Sequence, residues 1–98
     1  PEEIERYRGR FMKGWDLLRR ERHALQIEAG LVDPRWPLSQ RHEKAPAWDD
    51  VEDKETMDLK MAVYAAQIDR MDQGIGRILE KIAALGKEEN TLVLFLSD

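Results

Sequence analysis

The chain has 98 residues, with 16 Lys and Arg against 20 Asp and Glu and a formal charge of −4, a mild acidity that gives no electrostatic reason to bind nucleic acid or an anionic membrane. There is no Cys, which excludes a disulfide framework, a Cys-ligated metal site and a thiol nucleophile within these residues. The longest apolar run, Leu92 to Leu96, is far too short to span a bilayer; no signal peptide opens the sequence, and the compartment (periplasmic, secreted or cytoplasmic) stays open.

The first predicted element is a helical region over residues 1–30. Ile4, Tyr7, Phe11, Trp15, Leu18, Arg22 and Leu25 step by three or four, which is helix spacing. Arg22 can lay its stem along that stripe and keep its charge in water. Gly9 and Gly14 each disfavour a helix by up to ~1 kcal/mol, so a break is expected near one of them. Gly30 reads as the stop, with Leu31 as the apolar residue that follows it.

Residues 31–52 read as a Trp- and Pro-bearing loop. Asp33-Pro34, Trp36-Pro37 and Ala45-Pro46 each turn the residue before Pro away from the helical region. Trp36 and Trp48 are costly to leave in water, which predicts a loop pinned to a larger body.

The clearest element is a long helix over 53–86. Met57, Met61, Tyr64, Ile68, Met71, Ile75, Ile78, Ile82 and Leu85 alternate steps of four and three. Asp53 or Thr56 caps its start and Gly86 ends it. Such a helix is about 45 Å long, whereas a compact chain of this size has a radius of gyration of only about 13 Å. Either it bends near Gly74 and Gly76, or something outside the chain covers part of it. The Met stripe reads as core, with an oligomer seam as the second reading.

Residues 91–96 are apolar without alternation, the pattern of a strand buried on both faces. Its partner strands are not in the sequence. The expected fold class is therefore mainly α in isolation with one C-terminal β-strand, an internal piece of a larger α/β protein. The rival reading is a hydrophobic tail packed on the helices.

Few residues offer chemistry. Asp98 follows the predicted strand, and ligands of open α/β sheets bind outside the carboxyl ends of strands. A carboxylate there can ligate a hard cation or act as acid or base. His23 and His42 are nineteen residues apart, form no metal-binding pattern, and read as surface histidines. Asp69 and Asp72 share a helix face and read as structural carboxylates, with Asp72 placed to pair with an Arg or backbone group of a neighbouring element. Ser39 and Ser97 lack a nucleophile elbow. Gly74 and Gly76 lie inside a helix and read as close packing, not a phosphate loop. Arg19, Arg20 and Arg22 form a basic cluster diluted by Asp16 and Glu21.

The order of pieces resembles the arylsulfatase family. The resemblance rests on Tyr7-Arg8-Gly9-Arg10-Phe11, Gly14-Trp15-Asp16-Leu17-Leu18-Arg19, Arg22, Gly30-Leu31, Leu38-Ser39 and Pro46-Ala47-Trp48. It continues through Met61-Ala62-Val63-Tyr64-Ala65, Ile68-Asp69, Met71-Asp72 and Ile75-Gly76 to Asn90-Thr91-Leu92-Val93-Leu94-Phe95-Leu96-Ser97-Asp98. It implies an alkaline-phosphatase-like α/β fold and hydrolysis of sulfate esters by a formylglycine nucleophile with a divalent metal, usually calcium. It carries Asp98 over as a metal ligand and no catalytic residue. The nucleophile's Cys/Ser-x-Pro/Ala-x-Arg context does not occur in the sequence. The expectation is an internal fragment, inactive alone, that binds no cofactor and self-associates through the long helix or the C-terminal strand. Phosphodiesterases and phosphonate hydrolases of the same superfamily share the last strand and remain the enzyme alternative. A non-enzymatic helical self-association module is the other.

Overall fold

The first periodic run divides at its glycines. In the computed structural model of the chain, which describes residues 1–96, α1 spans Glu2–Tyr7 and α2 spans Trp15–Glu28. The backbone between them has positive φ at Gly9 and at Gly14. Gly14 stands at φ +86°, where a side chain is strained, and a Cβ there would overlap the Trp48 indole. α2 ends in a pair of bonds that satisfy its last carbonyls: Gly30 N–H donates to Ile27 O at 3.0 Å and Leu31 N–H to Gln26 O at 2.9 Å.

α3 spans Lys54–Ala84, 31 residues without interruption. The Asp53 carboxylate caps it, accepting the Thr56 N–H at 2.9 Å, which satisfies one orphan donor of the first turn. Its far end closes as α2 does, with Gly86 N–H on Ala83 O at 2.9 Å and Lys87 N–H on Ile82 O at 3.2 Å. The helix runs through Gly74 and Gly76 without a break, so its reach is not shortened. Among the described residues no helix is long and apolar enough to cross a membrane.

α1 packs on α3. The buried apolar residues are Trp48, Val51, Ala62 and Ala66, and Asp58 is buried with them. Asp58, Ala62 and Ala66 lie one turn apart, so the packed face of α3 is lined by small side chains that admit close approach. Much of the large-residue stripe faces outward: Tyr64, Ile68, Met71, Ile78 and Leu85 are exposed, while Met57, Ile75 and Ile82 are half-buried. In the loop, Trp48 sits in a 3₁₀ turn, Trp48–Asp50, edge-on to Trp15 with ring centroids 4.9 Å apart at 78°. Trp48 is thus pinned within the chain, whereas Trp36 remains 64% exposed.

The C-terminal strand expected at 91–96 is not formed. A second 3₁₀ turn, Glu88–Asn90, leads into a segment that is neither helix nor strand, and among the described residues there is no strand. The expected α/β class is overturned with it; these residues are helical and irregular. The physical reason is pairing. A strand exists through the N–H and C=O groups of a neighbour, and an apolar run supplies only side chains. Nor is the segment buried on two faces, since Leu92 is 84% and Phe95 74% exposed. It lies beside the last turns of α3, where Ile78 and Ile82 with Leu92 and Leu94 border a shallow groove.

Candidate functional site

Three carboxylates organise the helical block, and each does so by accepting hydrogen bonds. Asp58, 4% exposed, accepts the Gly9 N–H at 2.7 Å and the Phe11 N–H at 2.9 Å. It therefore ties the turn after α1 to α3. Both bonds are charge-assisted and partly shielded from water, the strong class. Sequence reading passed over Asp58; the available signal was an acid in register with Ala62 and Ala66.

Asp69 is the second. Its Oδ2 accepts from Arg6 Nη1 at 2.9 Å and from the Tyr7 hydroxyl at 3.1 Å, and its Oδ1 from Gln73 Nε2 at 2.7 Å. The Gln73 amide above all holds its carboxyl below the usual value; burial, the next largest effect, opposes it, and Tyr7 and Arg6 add to the lowering. The Tyr7 phenol is pushed up, chiefly by the same hydrogen bond to Asp69. The carboxylate that pairs with a neighbouring element is thus Asp69 and not Asp72. Asp72 is exposed and borders a groove with Tyr7 and Asp69.

Asp16 is the third. Oδ2 accepts the Trp48 N–H at 3.0 Å and Oδ1 accepts from Arg41 Nη1 at 2.8 Å. The Trp48 amide and then Arg41 lower its pKa. Trp48 Nε1 donates to Met12 O at 3.1 Å and Trp15 Nε1 to Pro46 O at 3.0 Å. Arg19 Nη2 donates to Ser39 O at 3.0 Å and Ser39 Oγ at 3.1 Å. These bonds draw residues 39–48 against α2 and leave between them a groove of about 550 Å³.

The other candidates scatter. His23 places Nε2 3.0 Å from Trp36 O on the flank of α2, while His42 is exposed at the groove. The basic cluster disperses: Arg19 turns to Ser39, and Arg22 borders a small cavity with Phe11, Met57 and Met61. Asp98 and Ser97 lie outside the described residues. A hard divalent cation needs several converging oxygen ligands. Among the described residues no three His, Asp or Glu side chains gather to hold a metal, so these residues do not fit a metal site by themselves.

The family model of sulfatases matches residues 21–98. The chain is 36% identical over 100 residues to an uncharacterized sulfatase of Schizosaccharomyces pombe, an alignment covering 99% of the chain and 18% of that protein. It is 33% identical over 97 residues to an arylsulfatase of Klebsiella aerogenes, covering 97% of the chain and 21% of that enzyme. The chain therefore spans about a fifth of the length of these curated relatives. No solved structure matches it.

Proposed function

The chain belongs to the sulfatase family, and from that premise we propose that it is an internal segment of a sulfuric ester hydrolase of the arylsulfatase kind. The observation that carries this reading is the extent of the likeness: identity to an arylsulfatase runs through nearly the whole chain. In this reading residues 1–30, 31–52, 53–86 and 91–96 are successive parts of one catalytic domain. The formylglycine nucleophile comes from another segment: there is no Cys here, and Ser39 is followed by Gln40-Arg41-His42-Glu43 instead of x-Pro/Ala-x-Arg. Asp98 contributes one carboxylate to a divalent-metal site, calcium by family resemblance, that other segments complete. The helical block is a scaffold in which Asp58, Asp69 and Asp16 hold α1, the 9–14 turn and the loop in register.

By itself the 98-residue chain turns over no substrate. Separated from the rest of the protein, it self-associates through α3, whose Ile68, Met71 and Ile78 side chains are exposed, or through the exposed segment 92–96.

The test is hydrolysis by the full-length protein of 4-nitrophenyl sulfate, 4-nitrophenyl phosphate and bis(4-nitrophenyl) phosphate. Preference for the sulfate is expected. Asp98→Ala should cut that activity by at least about 100-fold, more than the loss of an outer-shell partner, with little change in melting temperature. Preference for the phosphodiester would replace this reading with the phosphodiesterase one.

A further inference from the structure

We propose that the cavity where α2, the turn before it, Trp48 and α3 meet binds a small uncharged apolar molecule, between xenon and a hydrocarbon of about four carbons in size. This proposal does not rest on the hydrolytic reading above. The cavity encloses about 90 Å³. Phe11, Trp15, Leu18, Trp48, Met57 and Met61 supply its apolar walls.

The polar groups of those walls are engaged elsewhere. Trp15 Nε1 donates to Pro46 O and Trp48 Nε1 to Met12 O. Phe11 gives its N–H to Asp58 and takes the Gly14 N–H on its carbonyl at 2.9 Å. Arg19 also borders the cavity, but its guanidinium donates to Ser39. Arg22, the other charged neighbour, is exposed and carries its charge into water. Among the described residues no buried side-chain nitrogen or oxygen lacks a partner. A trapped water needs about two to four polar partners, and these walls do not offer them. The space is therefore dry. An apolar cavity of about 150 Å³ is dry in the same way and takes up benzene or xenon; this smaller one suits a smaller guest.

An unfilled space deprives its walls of dispersion contacts, and a guest restores them. Two indoles, a phenyl ring and two thioethers are polarisable surfaces, which strengthens that gain. Two walls are fixed before a guest arrives: Trp48 is only 8% exposed, and Trp15 meets it edge-on at 4.9 Å. Little freedom is lost there on binding. The Met57 and Met61 side chains are flexible enough to fit the guest's shape. Met61 is the most exposed of the apolar walls, at 38%, and gives the cavity a way to solvent past a side chain that moves.

The experiment uses the full-length protein labelled with 5-fluorotryptophan, its Trp15 and Trp36 resonances assigned with Trp15→Phe and Trp36→Phe. Isobutene, its polar isostere acetone, and xenon under pressure are titrated separately. Isobutene and xenon are expected to move the Trp15 signal saturably, with millimolar dissociation constants. Trp36, which does not border the cavity, should stay in place. Acetone should bind about ten-fold more weakly or worse, because its carbonyl leaves water and finds no donor. Leu18→Phe fills the space and should weaken isobutene about ten-fold or more. Met61→Phe, at the more exposed wall, should do the same and carries the test if Leu18→Phe fails to fold. Equal binding of acetone would overturn the proposal. So would equal movement of Trp36, or unchanged affinity in the folded filling variants. No movement of Trp15 up to about 5 mM isobutene would also overturn it, and would mean that another part of the protein already fills the cavity. Hydrolysis of an aryl sulfate is read independently, so failure here and failure of the sulfatase reading are separate results.

Discussion

Asp58 shows how one side chain carries a local structure. Its two oxygens satisfy the Gly9 and Phe11 amides, and removing the carboxylate leaves two sheltered donors without a partner. Each costs about 1–3 kcal/mol, so Asp58→Ala in the full-length protein should speed amide exchange at Gly9 and Phe11 by about 30-fold or more. Exchange mass spectrometry over residues 8–13 reads this directly, and unchanged rates would deny Asp58 its role. Asp16 makes a second prediction, on acid. Its folded pKa lies below the unfolded value, through the Trp48 amide first and Arg41 next. Its contribution is therefore present above the ordinary carboxylate range near ~3.9 and is lost as pH falls through the lowered folded value. The group is partly exposed, so solvent screens the effect. Protection of the Trp48 amide, corrected for intrinsic exchange, should hold from pH 6 to about pH 4 and fall below it. Protection that stays level to pH 3 would contradict the assignment. Neither role was legible from the residue alone. An Asp in a helix looks alike whether it faces water or an amide 49 positions away, and only the folded turn after α1 distinguishes them.

At the scale of the element, periodicity located α3 but not its packed face. The three-and-four spacing of Met57 to Leu85 predicts a helix, and α3 covers all of those positions but Leu85, its C-cap. The same spacing picks out the large side chains as core, yet burial falls on Asp58, Ala62 and Ala66. Hydrophobicity reports what a face favours, and only the presence of a partner decides whether it is covered. Residues 91–96 teach the same about strands: their apolarity fits one, but no neighbouring backbone among the described residues pairs with them. The groove beside α2 was equally hidden, because it depends on Arg19 meeting Ser39 and Arg41 meeting Asp16 across a loop. Gly76 tests whether α3 is covered where this chain leaves it bare. A Cβ there meets nothing within 4 Å, and Gly inside a helix costs roughly 0.5–1 kcal/mol relative to Ala. In the isolated chain Gly76→Ala should thus raise helicity at 222 nm and its thermal midpoint. A loss of helicity would mean that the glycine already meets a close neighbour, such as a second copy of the chain.

For the whole molecule, the dimensions set the expectation. The radius of gyration is 17.8 Å and the extents are 54 × 40 × 23 Å, whereas a compact chain of this length reaches about 13 Å. The extra reach is the distal part of α3, where Ile78 is 61% and Leu85 58% exposed, together with Leu92 to Leu96. An exposed apolar surface this continuous favours association, and each large side chain buried there gains about 1.5–3 kcal/mol. The isolated chain, 11.5 kDa, should therefore sediment with a weight-average mass that rises with concentration. Ile78→Glu should shift that equilibrium toward monomer, because burying the new carboxylate without a partner is costly. Tyr64→Glu probes the proximal stripe, where Tyr64 is 58% exposed, and a larger effect there would move the seam toward α1. A monomer at every concentration, with a scattering radius near 13 Å, would mean instead that α3 bends back on itself and hides this face within one chain.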